Sequence, residues 1–228
     1  MAMTLSSIVP WGRSFQEYID MFALSEQDLA GKILGCGDGP ASFNSEVTRR
    51  GGYVISIDPI YQFAPQDINN RIQETFDIIL QQVQDNQDDY VWDRIPSVQA
   101  LGETRMASMQ MFLDDYDQGK SDRRYVPASL PEIPFEDSSF DLALCSHLLL
   151  LYGDRLSFEF HQQALQSMMR VAHDARIFPL VQLDGTRSPY LDALLEWCPS
   201  QGWIASVETV PYEFQRGGHE MLRLCRSW

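Results

Sequence analysis

Basic residues are scarce. The 228-residue chain carries 17 Lys and Arg against 32 Asp and Glu, a formal charge of −15. Nucleic-acid binding draws on clustered cations that displace counterions, and no such cluster is present. The same deficit disfavours an anionic membrane surface, so the expected partner is a small or neutral molecule. Long apolar runs are also missing. The longest, near LALCSHLLLLY, is about half the length that crosses a bilayer. The N-terminal MAMTLSSIVPWGRS has no basic segment followed by an apolar stretch, so no signal peptide is expected. The four cysteines, Cys36, Cys145, Cys198 and Cys225, stand far apart without a CxxC pair. That spacing argues against a disulfide framework or a metal site and fits free thiols in a cytoplasmic protein.

What is present suffices for one domain. Hydrophobic residues make up 44% of the chain, enough to bury a full core over 1–228. Ser14 and Glu17 have capping-box spacing, and Ser25 gives a second helix start. The apolar pair Ile33-Leu34 meets a glycine run, Gly35-Cys36-Gly37-Asp38-Gly39. Residues 41–50 read as a helix closed by Gly51-Gly52. YVISI over 53–57 reads as a strand that stops at Asp58-Pro59. Strand, glycine turn, helix, strand and acid make one βαβ unit.

Residues 62–122 break the alternation. Apolar positions recur at helical spacing at Ile68, Ile72, Phe76, Ile79 and Val83, and again at Met106, Met109, Phe112 and Leu113, with Pro96 between. The expectation is an inserted helix pair able to serve as a lid, with 85–89 and 117–122 open to disorder. Beyond it, strands are expected at 124–127, 140–146, 175–180, 204–210 and 220–225, with helices at 154–172 and 189–198. The fold class is α/β, closing in an antiparallel hairpin.

Glycine after a strand permits a tight turn and close approach of a ligand to backbone. The following helix offers free N–H groups, and an acid on the neighbouring strand end faces ribose hydroxyls. A nucleoside with an extended tail fits this pattern. Dinucleotides prefer G-x-G-x-x-G, whose third glycine would fall at Pro40. The G-x-G-x-G spacing instead resembles class I S-adenosylmethionine-dependent methyltransferases. Residues 130–141, LPEIPFEDSSFD, resemble the segment leading into that family's fourth strand.

The resemblance implies a doubly wound, mostly parallel seven-stranded sheet with an antiparallel last strand, and S-adenosylmethionine as cofactor. It implies that Gly35, Cys36 and Gly37 pass beneath the methionine and ribose, that Asp58 accepts from the ribose hydroxyls, and that Pro59 and Ile60 flank the adenine. Ser129 and Leu130 fall near the adenine amino group, and Cys145 and Ser146 beside the methionine. The family often has acids at the positions of Ile33 and Ser129. Asp38 is a substitute anchor, and Arg13 is placed to meet the methionine carboxylate.

His147 follows the fourth strand, where a general base could reach an acceptor, although a structural histidine would sit there equally well. The implied activity is SN2 methyl transfer to a small molecule. A module that binds the cofactor or a protein partner without turnover, motivated by Ile33 and Ser129, remains the alternative. A nicotinamide dehydrogenase ranks third because of Pro40.

Overall fold

In the computed structural model, which describes residues 10–153 and 155–226, the side chain of Ser14 accepts from the Glu17 amide and Glu17 reaches back. This capping box opens α1 (Phe15–Met21), and Ser25 and Asp28 do the same for α2 (Glu26–Ala30). The βαβ unit follows as β1 (Lys32–Cys36), α3 (Phe43–Arg49) and β2 (Tyr53–Ile57). Then come α4 (Pro65–Asp85), α5 (Val98–Ser121), β3 (Tyr125–Val126), β4 (Phe140–Ser146), α6 (Phe158–Val171), β5 (Ala172–Phe178), α7 (Leu191–Trp197), β6 (Trp203–Thr209) and β7 (Glu220–Arg226). Residues 1–9, part of the segment in which no signal peptide is expected, and Asp154, the expected start of a helix, lie outside the described residues.

The strands form one sheet in the order β3-β2-β1-β4-β5-β7-β6. Every neighbouring pair is parallel except those involving β7. This is the class I methyltransferase-like fold that the resemblance implies. Register then builds the site. Cys36 pairs with Ile57 on one side and Cys145 on the other. The strands therefore end at one level, and the glycine loop, Asp58 and Ser146-His147 emerge together.

Alternation along the strands divides the core. Ile33, Leu142 and Leu144 face α1 and α3, packing with Tyr18, Met21, Phe22 and Phe43. Leu34, Cys36, Ala143 and Cys145 face the other way, toward Leu165, Met168 and Leu194. Each large apolar side chain buried here contributes about 1.5–3 kcal/mol.

The inserted helices are bound firmly to this core. Ile68, Ile72, Met109, Phe112 and Tyr116 close a cluster over Tyr61 and Tyr125. Arg105 of α5, wholly buried, forms a two-pronged pair with Glu17 of α1 at 2.5 and 2.6 Å, and Tyr212 donates to the same carboxylate. Burial works to raise the Glu17 pKa, but Arg105 overrides it and holds the group down at about 2. Residues 87–89 form a short turn and α5 runs through Ser121, so the polar stretches at 85–89 and 117–122 are ordered.

Two boundaries differ from expectation by three residues or more. β5 begins at Ala172, directly after α6, rather than at Ala175. His173 and Asp174 hide its start, because a polar pair at a sheet end breaks the apolar run; Asp174 is held there by Arg176 and Arg223. α6 starts at Phe158 because the Ser157 side chain accepts from the Phe160 amide and caps it.

Candidate functional site

Above the carboxyl ends of β1, β2 and β4 lies a cavity of ≈730 Å³, walled on its far side by α4. It is lined by Arg13, Gly37, Asp38, Asp58, Pro59, Ile60, Ser129, Leu130, Ser146 and His147. Ten of the residues singled out from sequence thus meet around one space. Gly35, Cys36 and Cys145 do not reach it. Cys36 and Cys145 are fully buried on the α6 side of the sheet, as their strand parity requires.

The glycines are needed for different reasons. Gly37 has φ +71°, and a Cβ there would lie 2.7 Å from Leu148 Cδ2. A Cβ at Gly35 would fall 1.8 Å from Asp38 Oδ2. Gly35 therefore makes room for the chain's own carboxylate, not for a ligand.

Asp38 turns back into the protein. Its Oδ1 accepts from the Tyr18 hydroxyl at 2.9 Å and its Oδ2 from Ser56 Oγ at 2.6 Å. Burial pushes its pKa up to about 6; the two hydroxyls pull it down and nearby Asp58 adds to the rise. Asp58 accepts from the amides of Gly39 and Ile60, each at 2.9 Å, and burial raises its pKa despite both bonds. An ionised carboxylate keeps further lone pairs, so Asp58 can still accept from a ligand hydroxyl. The Tyr61 hydroxyl donates to the Gly39 carbonyl at 2.8 Å and steadies the loop.

Arg13 donates through Nη1 to the Trp11 carbonyl at 2.9 Å, while its buried Nε has no hydrogen-bond partner. Its guanidinium has no salt-bridged carboxylate among the described residues. His147 sits at φ +52° with Nδ1 2.8 Å from Ser146 Oγ. Burial holds its pKa well below the ordinary histidine range, and Arg13 and Arg105 lower it further. Among the described residues no cluster of His, Cys, Asp or Glu is arranged to hold a metal ion.

Most of the rest of the cavity is apolar, Asp67, Arg71 and Gln215 apart, and this wall was not legible beforehand. Leu148, Leu151, Leu156, Phe160 and Phe214 line it, as do Ile68, Ile79 and Val83 from α4. Tyr18 was also missed. It sits on the core face of α1 at the spacing of an ordinary packing residue, stacked on Phe43, and only its bond to Asp38 marks it out.

No family model matches the chain. It is 31% identical over 225 residues to a Methanocaldococcus jannaschii protein bearing the description "Uncharacterized protein MJ0045", covering 98% of this chain and 99% of that one. Among solved structures it is similar to the pyocyanin biosynthetic protein PhzM at 12% identity and TM-score 0.48, covering 93% of this chain and 54%, about half, of PhzM. Magnesium protoporphyrin IX methyltransferase from Synechocystis, solved with S-adenosylmethionine bound, is similar at 9% identity and TM-score 0.47, over 89% of this chain and 73% of that one. A Methanococcus maripaludis structure described as a putative S-adenosylmethionine-dependent methyltransferase is similar at 12% identity and TM-score 0.46, over 93% and 83%.

Proposed function

The chain belongs to the family of the Methanocaldococcus jannaschii protein, and from that premise and its class I methyltransferase-like sheet we propose that it is an S-adenosylmethionine-dependent methyltransferase acting on a small-molecule acceptor. The observation that carries this reading is the register of the parallel strands β1 to β4, whose carboxyl ends lead into the glycine loop, Asp58, the 129–130 segment and Ser146-His147 around one cavity.

The residues present fit the cofactor. Gly37 keeps a side chain out of the space beside Leu148. Asp58 is anchored by two amides yet retains acceptor capacity for ribose hydroxyls. Pro59, Ile60, Ser129 and Leu130 supply an edge for the adenine. Arg13, half-buried with a buried, unpartnered Nε, suits the methionine carboxylate. When bound, S-adenosylmethionine supplies an electrophilic methyl group on a sulfonium. The protein's task is then alignment of the acceptor behind that methyl and exclusion of water. Leu148, Leu151, Phe160 and Val83 favour an apolar acceptor body, and α4 covers it as a wall or lid. The acidic surface argues against nucleic acid or a membrane as the acceptor.

Calorimetric titration with S-adenosylhomocysteine tests this. Micromolar binding is expected, weakened at least about tenfold, or ~1.4 kcal/mol, by Asp58→Ala. No binding by folded wild-type protein contradicts the reading. Binding without methyl transfer to any of a broad set of acceptors supports the non-catalytic module instead.

A further inference from the structure

Three acids are buried among the described residues, and they are treated differently. Glu17 pairs with Arg105, and Asp20 pairs with Arg94. Asp38 has no guanidinium or ammonium partner among the described residues; it has two hydroxyls and a cavity. Tyr18 donates to Oδ1 at 2.9 Å and Ser56 Oγ to Oδ2 at 2.6 Å, while Asn44 Nδ2 donates to Ser56 Oγ at 3.0 Å and steadies it. Gly35 leaves the room that Oδ2 fills. An ionised carboxylate out of water is costly unless a cation answers it. This one stands in the glycine loop, on the wall of the space that the cofactor would fill.

We propose that Asp38 reads the charge of the cofactor: its carboxylate favours the sulfonium of S-adenosylmethionine over the neutral thioether of S-adenosylhomocysteine, and the preference switches on as the group ionises. The inference rests on the methyltransferase reading and adds to it a specificity-determining residue and a pH response.

The surroundings make Asp38 the group that responds. Burial pushes its pKa up to about 6, against the pull of the two hydroxyls. Tyr18 of α1, Cys36 of β1, Tyr61 from the turn after β2 and Cys145 of β4 also face it. Burial pushes each of these four up, so they stay neutral while Asp38 titrates. Asp58, at the end of β2, faces it too and adds to the rise. Its role toward ribose hydroxyls is common to both ligands, so its titration cancels when their affinities are compared.

The sign follows from linkage. Below its pKa Asp38 is protonated and offers no charge to either ligand. Above it the carboxylate attracts a sulfonium and is held ionised by that cation, so binding the charged ligand releases a proton. A thioether does neither. Methyl transfer leaves both electrons of the S–CH3 bond on sulfur, and the cation is gone. The carboxylate that draws the cofactor in therefore has less hold on the product, which favours exchange of one for the other.

Calorimetric titrations with S-adenosylmethionine and S-adenosylhomocysteine, each without acceptor, decide it. The ratio of dissociation constants, thioether over sulfonium, should rise about threefold between about pH 5.5 and about pH 7.0, the rise expected when the sulfonium lowers the Asp38 pKa by about one unit. In buffers of different ionisation enthalpy, S-adenosylmethionine should release more protons than S-adenosylhomocysteine. Asp38→Asn should make the ratio independent of pH. Ser56→Ala removes a donor to the ionised form and should move the rise to higher pH. If neither variant folds, the wild-type ratio is sufficient. A wild-type ratio that does not change with pH, or a rise that survives in Asp38→Asn, overturns the proposal and leaves the cofactor assignment standing. Binding of neither ligand by folded wild-type protein sinks the methyltransferase reading and this inference with it.

Discussion

The two ends of the sheet treat the same residue type in opposite ways. At the amino end, Asp28 and Asp174 meet the buried Arg176, and Asp174 also binds Arg223 at 2.8 Å. Burial works to raise the Asp28 pKa, but the Ser25 bonds and Arg176 bring it below the usual carboxylate value. At the carboxyl end, Asp38 and Asp58 are more deeply buried and accept only from hydroxyls and amides; both are pushed up. The first end uses its charges to hold the fold. The second keeps two carboxylates under tension beside a cavity, the arrangement expected where groups are shaped for a ligand or a proton rather than for stability.

Breaking the paired end should cost most. Arg176→Met leaves Asp28 and Asp174 without their shared cation, and urea unfolding should show a loss of about 3–5 kcal/mol. The same swap at Arg105, which strands Glu17, should cost a similar amount.

The strained end should respond to pH with the opposite sign. The Asp38 pKa of about 6 in the fold lies above its value in the unfolded chain. Between the two, the folded state binds more protons, so this group lowers stability as pH rises through about 4 to 6. Asp38→Asn should remove that slope and leave the variant less penalised near pH 7, by on the order of 2 kcal/mol, in urea titrations at the two ends of the window. Asp28, with its pKa lowered, stabilises above its unfolded value and loses that contribution as pH falls. Smaller still, Gly37→Ala must hold φ +71° and crowd Leu148. A stability loss of about 1–2 kcal/mol is expected in the same titration, together with weaker S-adenosylhomocysteine binding.

What the sequence discloses follows from where each signal lives. β2 and β4 matched their expected bounds because each is a mostly apolar run, buried along most of its length after its first two residues. The glycine loop and Asp58 are local motifs. The paired cysteines show a missed inference: alternation already places Cys36 on the face of Leu34, away from the loop's open side. Tyr18 was out of reach, because its meaning depends on Asp38 and Ser56, which only the fold brings together. The apolar wall was hidden for a similar reason. Leu151 and Phe160 look the same whether they pack a core or line a cavity.

A co-crystal with S-adenosylhomocysteine tests the account most directly. It should place the ribose at Asp58, the adenine between Ile60 and Leu130, and the amino-acid carboxylate at Arg13. A ligand found elsewhere, or a cavity with none under conditions that saturate a known methyltransferase, would contradict the assignment of this end of the sheet to the cofactor.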